Sequence, residues 1–331
     1  MNPMKNIHVY ASKDISSNFL KEKLDLWDSK LFLSTSKKYS KKAKTKQLKC
    51  FLCKNSTYKK VGDFFGIEYR KCNKCAHVYV NKRLSDEDLN QYYHSVKISS
   101  TAGYTNKKSI ENRDKLFLPK IKFVKKYSYG KKWLDVGAGD GAAVSVINSQ
   151  GFQGVGLEGN IQSLKFAKKY RKINLIPKIL DEIDSTEKYN IISFFGVLEH
   201  MSDPINALKI SNKILNKNGI VVIEVPNFNS LSSSVQNYTK IADRHLEPIT
   251  HIQLFTEQSL TFALKKTGFT PIAIWYYGMD IIELMKYLKK INPMFTKSEL
   301  CNLLSNYASQ FQNIIDKDKK SDFLLMIGKK N

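Results

Sequence analysis

At 331 residues and 42% hydrophobic content the chain carries enough apolar material for one large domain plus an accessory unit. No apolar run approaches the roughly 18 residues that span a bilayer, and the polar start lacks the apolar stretch of a signal peptide, so the expectation is a cytoplasmic protein without membrane insertion. The net charge of +24 rests on 49 lysines and only five arginines (Arg70, Arg83, Arg113, Arg171 and Arg244). Bidentate recognition of phosphates and bases favours arginine, so nucleic acid is the less favoured partner.

Residues 1–49 read as an N-terminal extension and basic linker. Phe19, Leu20, Leu24, Trp27 and Leu31 have the spacing of a short amphipathic helix, and the run KKYSKKAKTKQLK reads as a solvated linker. Four of the five cysteines then fall in two pairs, Cys50/Cys53 and Cys72/Cys75, with 18 residues between them. In a reducing compartment this spacing is a metal clip, and two knuckles joined by a hairpin place four thiolates at tetrahedral corners. Residues 50–80 are therefore expected to form a zinc ribbon with a structural Zn²⁺, since four protein ligands leave no open position; an all-thiolate iron site uses similar spacing. Lys54 and Ala76 stand where a glycine often ends each knuckle, and His77 is surplus to the ligand set.

Residues 81–130 read as a helical connector. Ser85 with acidic residues behind it marks a helix start, and that helix carries Tyr92 and Tyr93. With Tyr104 they are candidates to cover a substrate. From 131 to 331, strand-like and helix-like segments alternate, the pattern of a parallel sheet covered by helices. Strands are predicted at 132–136, 153–157, 174–180, 189–195, 219–225, 270–277 and 322–328, and helices near 141–150, 160–171, 203–216 and 257–267. The fold class is α/β: a Rossmann-like seven-stranded sheet with its last strand antiparallel, an N-terminal zinc ribbon, and a helical insertion at 279–320. That insertion emerges at the edge of the sheet where ligands bind, as a lid or as a packing or dimerisation element.

The stretch WLDVGAGDGAAV is a strand, a glycine-rich turn and a helix start, the layout that holds an anionic group at a helix N-terminus. Asp135, two residues before Gly137, argues against a pyrophosphate on that turn and for a cationic nucleoside. S-adenosylmethionine has an ammonium and a sulfonium charge and no phosphate, and Glu158 at the end of the second strand can hold its ribose. Glu158 alone also fits a dinucleotide site.

With these residues in hand, the chain resembles the class I S-adenosylmethionine-dependent methyltransferases over 131–278 and the closing strand. LDVGAGDGAAV looks like the family's cofactor loop, and GVLEHMSDP resembles a segment after its fourth strand. The resemblance implies that Asp135, Gly137, Ala138, Gly139 and Gly141 line the methionine end and that Glu158 holds the ribose. It further implies that Leu180 and Asp181 border the adenine and that Phe195 and Gly196 cover the cofactor. Ribbon, tyrosine-bearing helix and this domain together look like methyltransferases acting on sugars, among them nucleotide-linked deoxysugars and acceptors of surface-glycan pathways.

Methyl transfer is an in-line displacement in which the enzyme aligns an acceptor, excludes water and manages one proton. His200 is the candidate general base, with Glu199 to orient it or bind the acceptor; as a bland alternative the pair caps the loop before a helix opened by Asp203 or Ser202 and Pro204. His245 and His251 are further substrate candidates at the same edge, each also readable as a loop or core histidine. Cys301 reads as buried. Two other functions stay open: an RNA methyltransferase gripping the backbone with its ribbon and lysine run, and a catalytically silent cofactor-binding partner protein.

Overall fold

The computed structural model describes residues 8–11, 29–95, 107–184, 186–242 and 245–331. The amphipathic segment around Phe19, Leu20, Leu24 and Trp27 lies outside the described residues, as do Tyr104 and the side chains of Leu31 and Tyr93. The chain divides into two compact units, one made of Met1–Leu84, Val225–Leu260 and Ile274–Leu325, the other of Ser85–Glu224, Thr261–Ala273 and Met326–Asn331. Among the described residues no helix is long and apolar enough to cross a membrane.

In the second unit the strand Lys132–Val136 pairs in parallel with Gln153–Leu157 on one side and Tyr189–Phe195 on the other, and Tyr189–Phe195 pairs in parallel with Leu215–Pro226. Parallel strands covered on both faces read as near-continuous apolar runs. Leu134, Ile191, Ile192, Phe194, Val221 and Ile223 accordingly lie fully buried, each contributing about 1.5–3 kcal/mol of transfer free energy. The buried Trp133 indole is satisfied by donating to Ser193 Oγ at 2.8 Å. The main sheet is mixed, and its strand order is His8–Ala11, Phe269–Tyr277, Phe323–Lys330, Leu215–Pro226, Tyr189–Phe195, Lys132–Val136, Gln153–Leu157.

The strand predicted at 174–180 does not form. Ile176 makes one bridge to Leu157, with its amide donating to Gly156 O and its carbonyl accepting from Glu158 N. Beyond it the chain turns away from the sheet, Lys178 N donating back to Ile176 O at 2.8 Å. The remaining edge position of the sheet is taken by His8–Ala11, which sequence periodicity did not single out. Helices match their start signals. Asp203 caps Pro204–Ile214 by accepting from Asn206 N at 3.0 Å with Pro204 in the first turn, and Ser85 Oγ accepts from Asp88 N at 3.0 Å at the head of Asp86–Ser95.

In the first unit, Tyr58–Phe64 and Ile67–Cys72 form an antiparallel hairpin, extended by Val78–Val80 and by Gln253–Leu254. The lysine run ahead of it is more ordered than a solvated linker. It continues a helix, Ser29–Ser40, whose Ser36 and Tyr39 are buried, and then a short strand, Thr45–Lys46, laddered to Lys82–Arg83. The 279–320 insertion is helical, as its pattern predicts: Asp280–Ile291, Glu299–Asn306 and Ala308–Lys317 close on Ile281, Ile282, Met285, Phe295, Cys301 and Leu304. Cys301 is thus a core residue. The first of these helices is anchored by buried Asp280, which accepts from Ser232 N, Ser232 Oγ and Asp322 N at 2.8–3.0 Å. Burial and the neighbouring Asp322 push its carboxyl up to about 7.

Candidate cofactor and catalytic site

The glycine turn leaves the sheet at Val136 and enters the helix Ala142–Ser149 with Gly141 in the N-cap position. Gly137, Gly139 and Gly141 all take positive φ, 68°, 55° and 78°, the left-handed region that costs a side-chain-bearing residue about 1–2 kcal/mol. Their surroundings differ. A Cβ on Gly137 would sit 2.8 Å from Val197 Cγ2, whereas one on Gly139 would meet nothing within 4 Å. Gly139 is therefore the point of the turn where a ligand can approach the backbone directly. Ala138 lies between them, largely buried, its amide donating to Leu157 O at 2.8 Å.

The turn is held from beneath by a buried ion network. Asp140 meets Arg113 Nε at 3.0 Å and Arg171 Nη2 at 3.1 Å, and Arg171 also pairs with Asp114. Asp140 Oδ1 in addition accepts from Ala142 N at 3.2 Å. Two of the five arginines thus fix the loop geometry.

Asp135 is only 2% exposed and accepts from Ser193 Oγ at 2.6 Å. Burial pushes its carboxyl up to about 7; the Ser193 bond and Lys120 oppose this, while the charges of Glu224 and Glu158 add to it. Its influence on a ligand is therefore exerted through the field of a buried group. Glu158 is engaged on both oxygens, accepting from Gly139 N at 2.7 Å and Asn160 N at 2.6 Å. Burial raises its pKa against the bonds from the Asn160, Gly139 and Gly159 amides. Glu224 is paired with Lys120 Nζ at 2.6 Å. Glu158 and Glu224 thus both act on the buried Asp135 at this end of the strands, with Lys120 as the opposing charge.

Leu180 is buried in the turn Leu180–Glu182, and Asp181 is exposed, accepting from Asn206 Nδ2 at 3.0 Å. Two exposed aliphatics belong with them: Ile161, 54% exposed, and Ile179, 55% exposed, whose Cγ2 lies 3.4 Å from where a Gly159 Cβ would stand. Sequence reasoning passed over both. The available signal was an isoleucine three residues after Glu158 and another just before Leu180. Phe195 meets Phe117 edge to face at 5.6 Å, and Gly196, at φ 67°, donates its amide to Glu224 O.

Glu199 and His200 lie in the single helical turn Leu198–His200. Glu199 is 2% exposed, its Oε2 has no hydrogen-bond partner among the described residues, and burial pushes its carboxyl up to about 8. His200 Nε2 stands 3.9 Å from Glu199 Oε1, and its side chain is part exposed. A neutral buried acid beside a reachable imidazole can orient an acceptor and take its proton. Tyr92 is buried in its helix. In the other unit, His245 is buried, with Nε2 3.3 Å from Asp322 Oδ2 and its ring edge-on to Phe323, while His251 Nδ1 lies 3.1 Å from His245 O. His245 is thereby held against the start of the strand Phe323–Lys330, and His251 is bonded within its own loop.

The four cysteine Sγ atoms lie within 4.8 Å of one another, with Cys50 to Cys75 at 3.6 Å and Cys53 to Cys72 at 3.4 Å, and all are free thiols. The two knuckles share one pattern. Lys54 N donates to Cys50 O and Ala76 N to Cys72 O, both at 3.0 Å, with φ of 60° and 57° at Lys54 and Ala76. The glycine conformation is kept without glycine. Asn55 Nδ2 points at Cys72 Sγ from 3.6 Å, a donor suited to a thiolate ligand. His77 is fully buried, held down to about 3 by that burial and bonded through Nε2 to Gln253 Oε1, so it stands apart from the thiol set.

A sequence model of the family described as "Methyltransferase domain" matches residues 109–274. Among curated proteins, the chain is 26% identical over 117 residues to a ubiquinone biosynthesis O-methyltransferase of Aliivibrio fischeri (strain MJ11), covering 33% of this chain and 48% of that protein. It is 31% identical over 101 residues to the protein of the same name from Pelagibacter ubique (strain HTCC1062), covering 29% and 42%. The chain spans about half the length of the curated relatives it matches. A solved S-adenosylmethionine-dependent methyltransferase from Archaeoglobus fulgidus superposes with a TM-score of 0.47 at 21% identity, covering 66% of this chain and 94% of that one.

Proposed function

Since the chain belongs to this methyltransferase-domain family, we propose that it uses S-adenosylmethionine to methylate a small-molecule acceptor, a sugar or nucleotide-activated sugar of a surface-glycan pathway. The observation that carries the cofactor reading is the turn 137–141 beside the buried Asp135, on which the charges of Glu158 and Glu224 both act. Such a site disfavours a phosphate-bearing anion and favours a cationic nucleoside. S-adenosylmethionine supplies the methyl group when bound. Gly137, Ala138, Gly139 and Gly141 would hold its methionine end and Glu158 its ribose; Leu180, Asp181, Phe195 and Gly196, with Ile161 and Ile179, would flank the rest.

His200 is the base of this reading, because it is reachable while Glu199 remains protonated at neutral pH. Glu199 then donates a hydrogen bond to the acceptor. Tyr92, Tyr93 and Tyr104 remain candidates for the acceptor side, and the four thiols would hold a structural Zn²⁺ in a closed tetrahedral set, with Asn55 supporting Cys72. The sugar reading rests on the combined layout of ribbon, tyrosine helix and this domain. Incubation with isotope-labelled cofactor and a panel of nucleotide-sugars, followed by mass spectrometry, should yield a labelled methylated sugar and S-adenosylhomocysteine. Labelled RNA with no labelled sugar would overturn the acceptor; binding of NAD(P) in preference to S-adenosylmethionine would overturn the cofactor.

A further inference from the structure

The positive charge of this chain is concentrated. Residues 34–84 hold 15 lysines and arginines against two acids, Asp63 and Glu68, so these 51 residues carry +13 of the chain's +24. A lysine-rich codon supply would spread lysine over every exposed surface and gives no reason for such a concentration. The ladders of this region also set like charges directly opposite one another: Lys46 faces Lys82, Lys59 faces Lys71 and Lys60 faces Arg70. Opposed like charges destabilise an antiparallel pair. Asp63 and Glu68 relieve the Lys60–Arg70 pair through contacts of 2.6–3.5 Å, whereas no acid among the described residues pairs with Lys46 or Lys82. Such an arrangement is relieved by an external anion.

The chemistry of the face narrows which anion. Reading bases falls to arginine forks and stacking falls to open aromatic rings. Here Arg70 donates to Glu68 Oε1 and lies over the Tyr58 ring at 4.0 Å, and Arg83 Nη1 donates to Leu84 O at 3.0 Å. Arginines and ring are occupied within the protein, which leaves lysine and one leucine. The short strand Thr45–Lys46 and its flanks bring Lys44, Lys46, Leu48 and Lys49 into one run of six residues. All four are exposed, Leu48 by 66%. The ladder from Thr45–Lys46 to Lys82–Arg83 holds the stretch in place. A leucine held outward among ammonium groups fits the headgroup region of a bilayer, where lysines meet lipid phosphate and the apolar side chain reaches the acyl boundary.

We propose that this lysine face, together with the exposed Leu48, docks the protein peripherally on an anionic phospholipid surface. The full chain is sedimented with vesicles of phosphatidylcholine containing about 40 mol% phosphatidylglycerol and with pure phosphatidylcholine, at roughly 0.1 M salt. Binding is expected to the anionic vesicles alone and is lost on raising salt to about 0.5 M. Replacing Lys44, Lys46 and Lys49 together by Gln weakens it on the order of 10²-fold, while the matching Arg triple keeps it. Leu48→Ser weakens it about tenfold. Thermal denaturation of each variant separates lost binding from lost fold. Equal binding to neutral vesicles, or an unchanged affinity in the Gln triple, overturns the proposal. Tighter binding of a homopolymeric RNA than of anionic vesicles at the same salt overturns it too, and reassigns the face to nucleic acid.

Discussion

Asp135→Asn isolates the electrostatic core of the site. The native carboxyl is pushed from the ordinary 3.8 up to about 7, and a difference of that size between folded and unfolded states corresponds to about 4 kcal/mol. For an acid with a raised folded pKa the sign is fixed. The native state keeps its proton while the unfolded chain has lost its own, so this contribution is fully present below pH ~4, falls as pH rises towards 7 and is gone above it. The side-chain amide of the variant would still accept from Ser193 Oγ but could not ionise. The variant is expected to lack that loss and to gain stability over the wild type at pH 8, by up to a few kcal/mol. Cofactor binding carries the opposite signature: a cation beside Asp135 lowers its pKa, so the wild type releases up to one proton on binding at pH 6–7 and binds more tightly as pH rises. In the variant, affinity is lower at pH 8 and flat with pH. Denaturation profiles from pH 5 to 8, with calorimetric titrations in two buffers of different ionisation enthalpy, read both effects. Coincident stability profiles and no proton release in the wild type would refute the reasoning.

Gly139→Ala and Gly137→Ala should separate binding from folding. At Gly139 the added methyl meets no atom, so stability falls by only about 1 kcal/mol, while cofactor affinity drops more than about tenfold because the methyl occupies the approach. At Gly137 the clash with Val197 adds to the strained φ, and a loss of roughly 2–4 kcal/mol is expected in denaturant melts; equal losses at both positions would contradict this. Ala76→Gly, at φ 57°, should raise the resistance of the ribbon to denaturant by a few tenths to about 1 kcal/mol, and a loss would show that the methyl packs. A strong chelator should remove one metal per chain by elemental analysis, with the amides of Tyr58–Phe64 and Ile67–Cys72 losing hydrogen-exchange protection; retained protection would make the thiols' metal dispensable. His200→Ala should lower kcat about 10²–10⁴-fold, whereas Glu199→Gln, which mimics the neutral acid expected below pH ~8, should stay within a few-fold of wild type at pH 7. A large loss in the glutamine variant would move the base to Glu199.

What the sequence disclosed here follows from how far apart interacting residues lie. The turn at 137–141 and the four cysteines are local: their spacing alone dictates a positive-φ loop at a helix start and a cluster of thiols, and the structure has both. The strand at 174–180 failed for an equally local reason, the tight turn in which Lys178 N bonds back to Ile176 O, which a periodicity count passes over. The groups that tune the site are a different matter. Ser193 stands 58 residues from the Asp135 it bonds, Arg171 31 residues from Asp140, and Lys120 over a hundred from Glu224. None of these pairs leaves a mark in local composition. Only the sheet, by burying Asp135 among its neighbouring strands, pushes that carboxyl up to about 7, while the register that sets Ser193 beside it supplies a bond that opposes the rise. The residue types that bear the chemistry were readable from the chain; their protonation states are properties of the strand order.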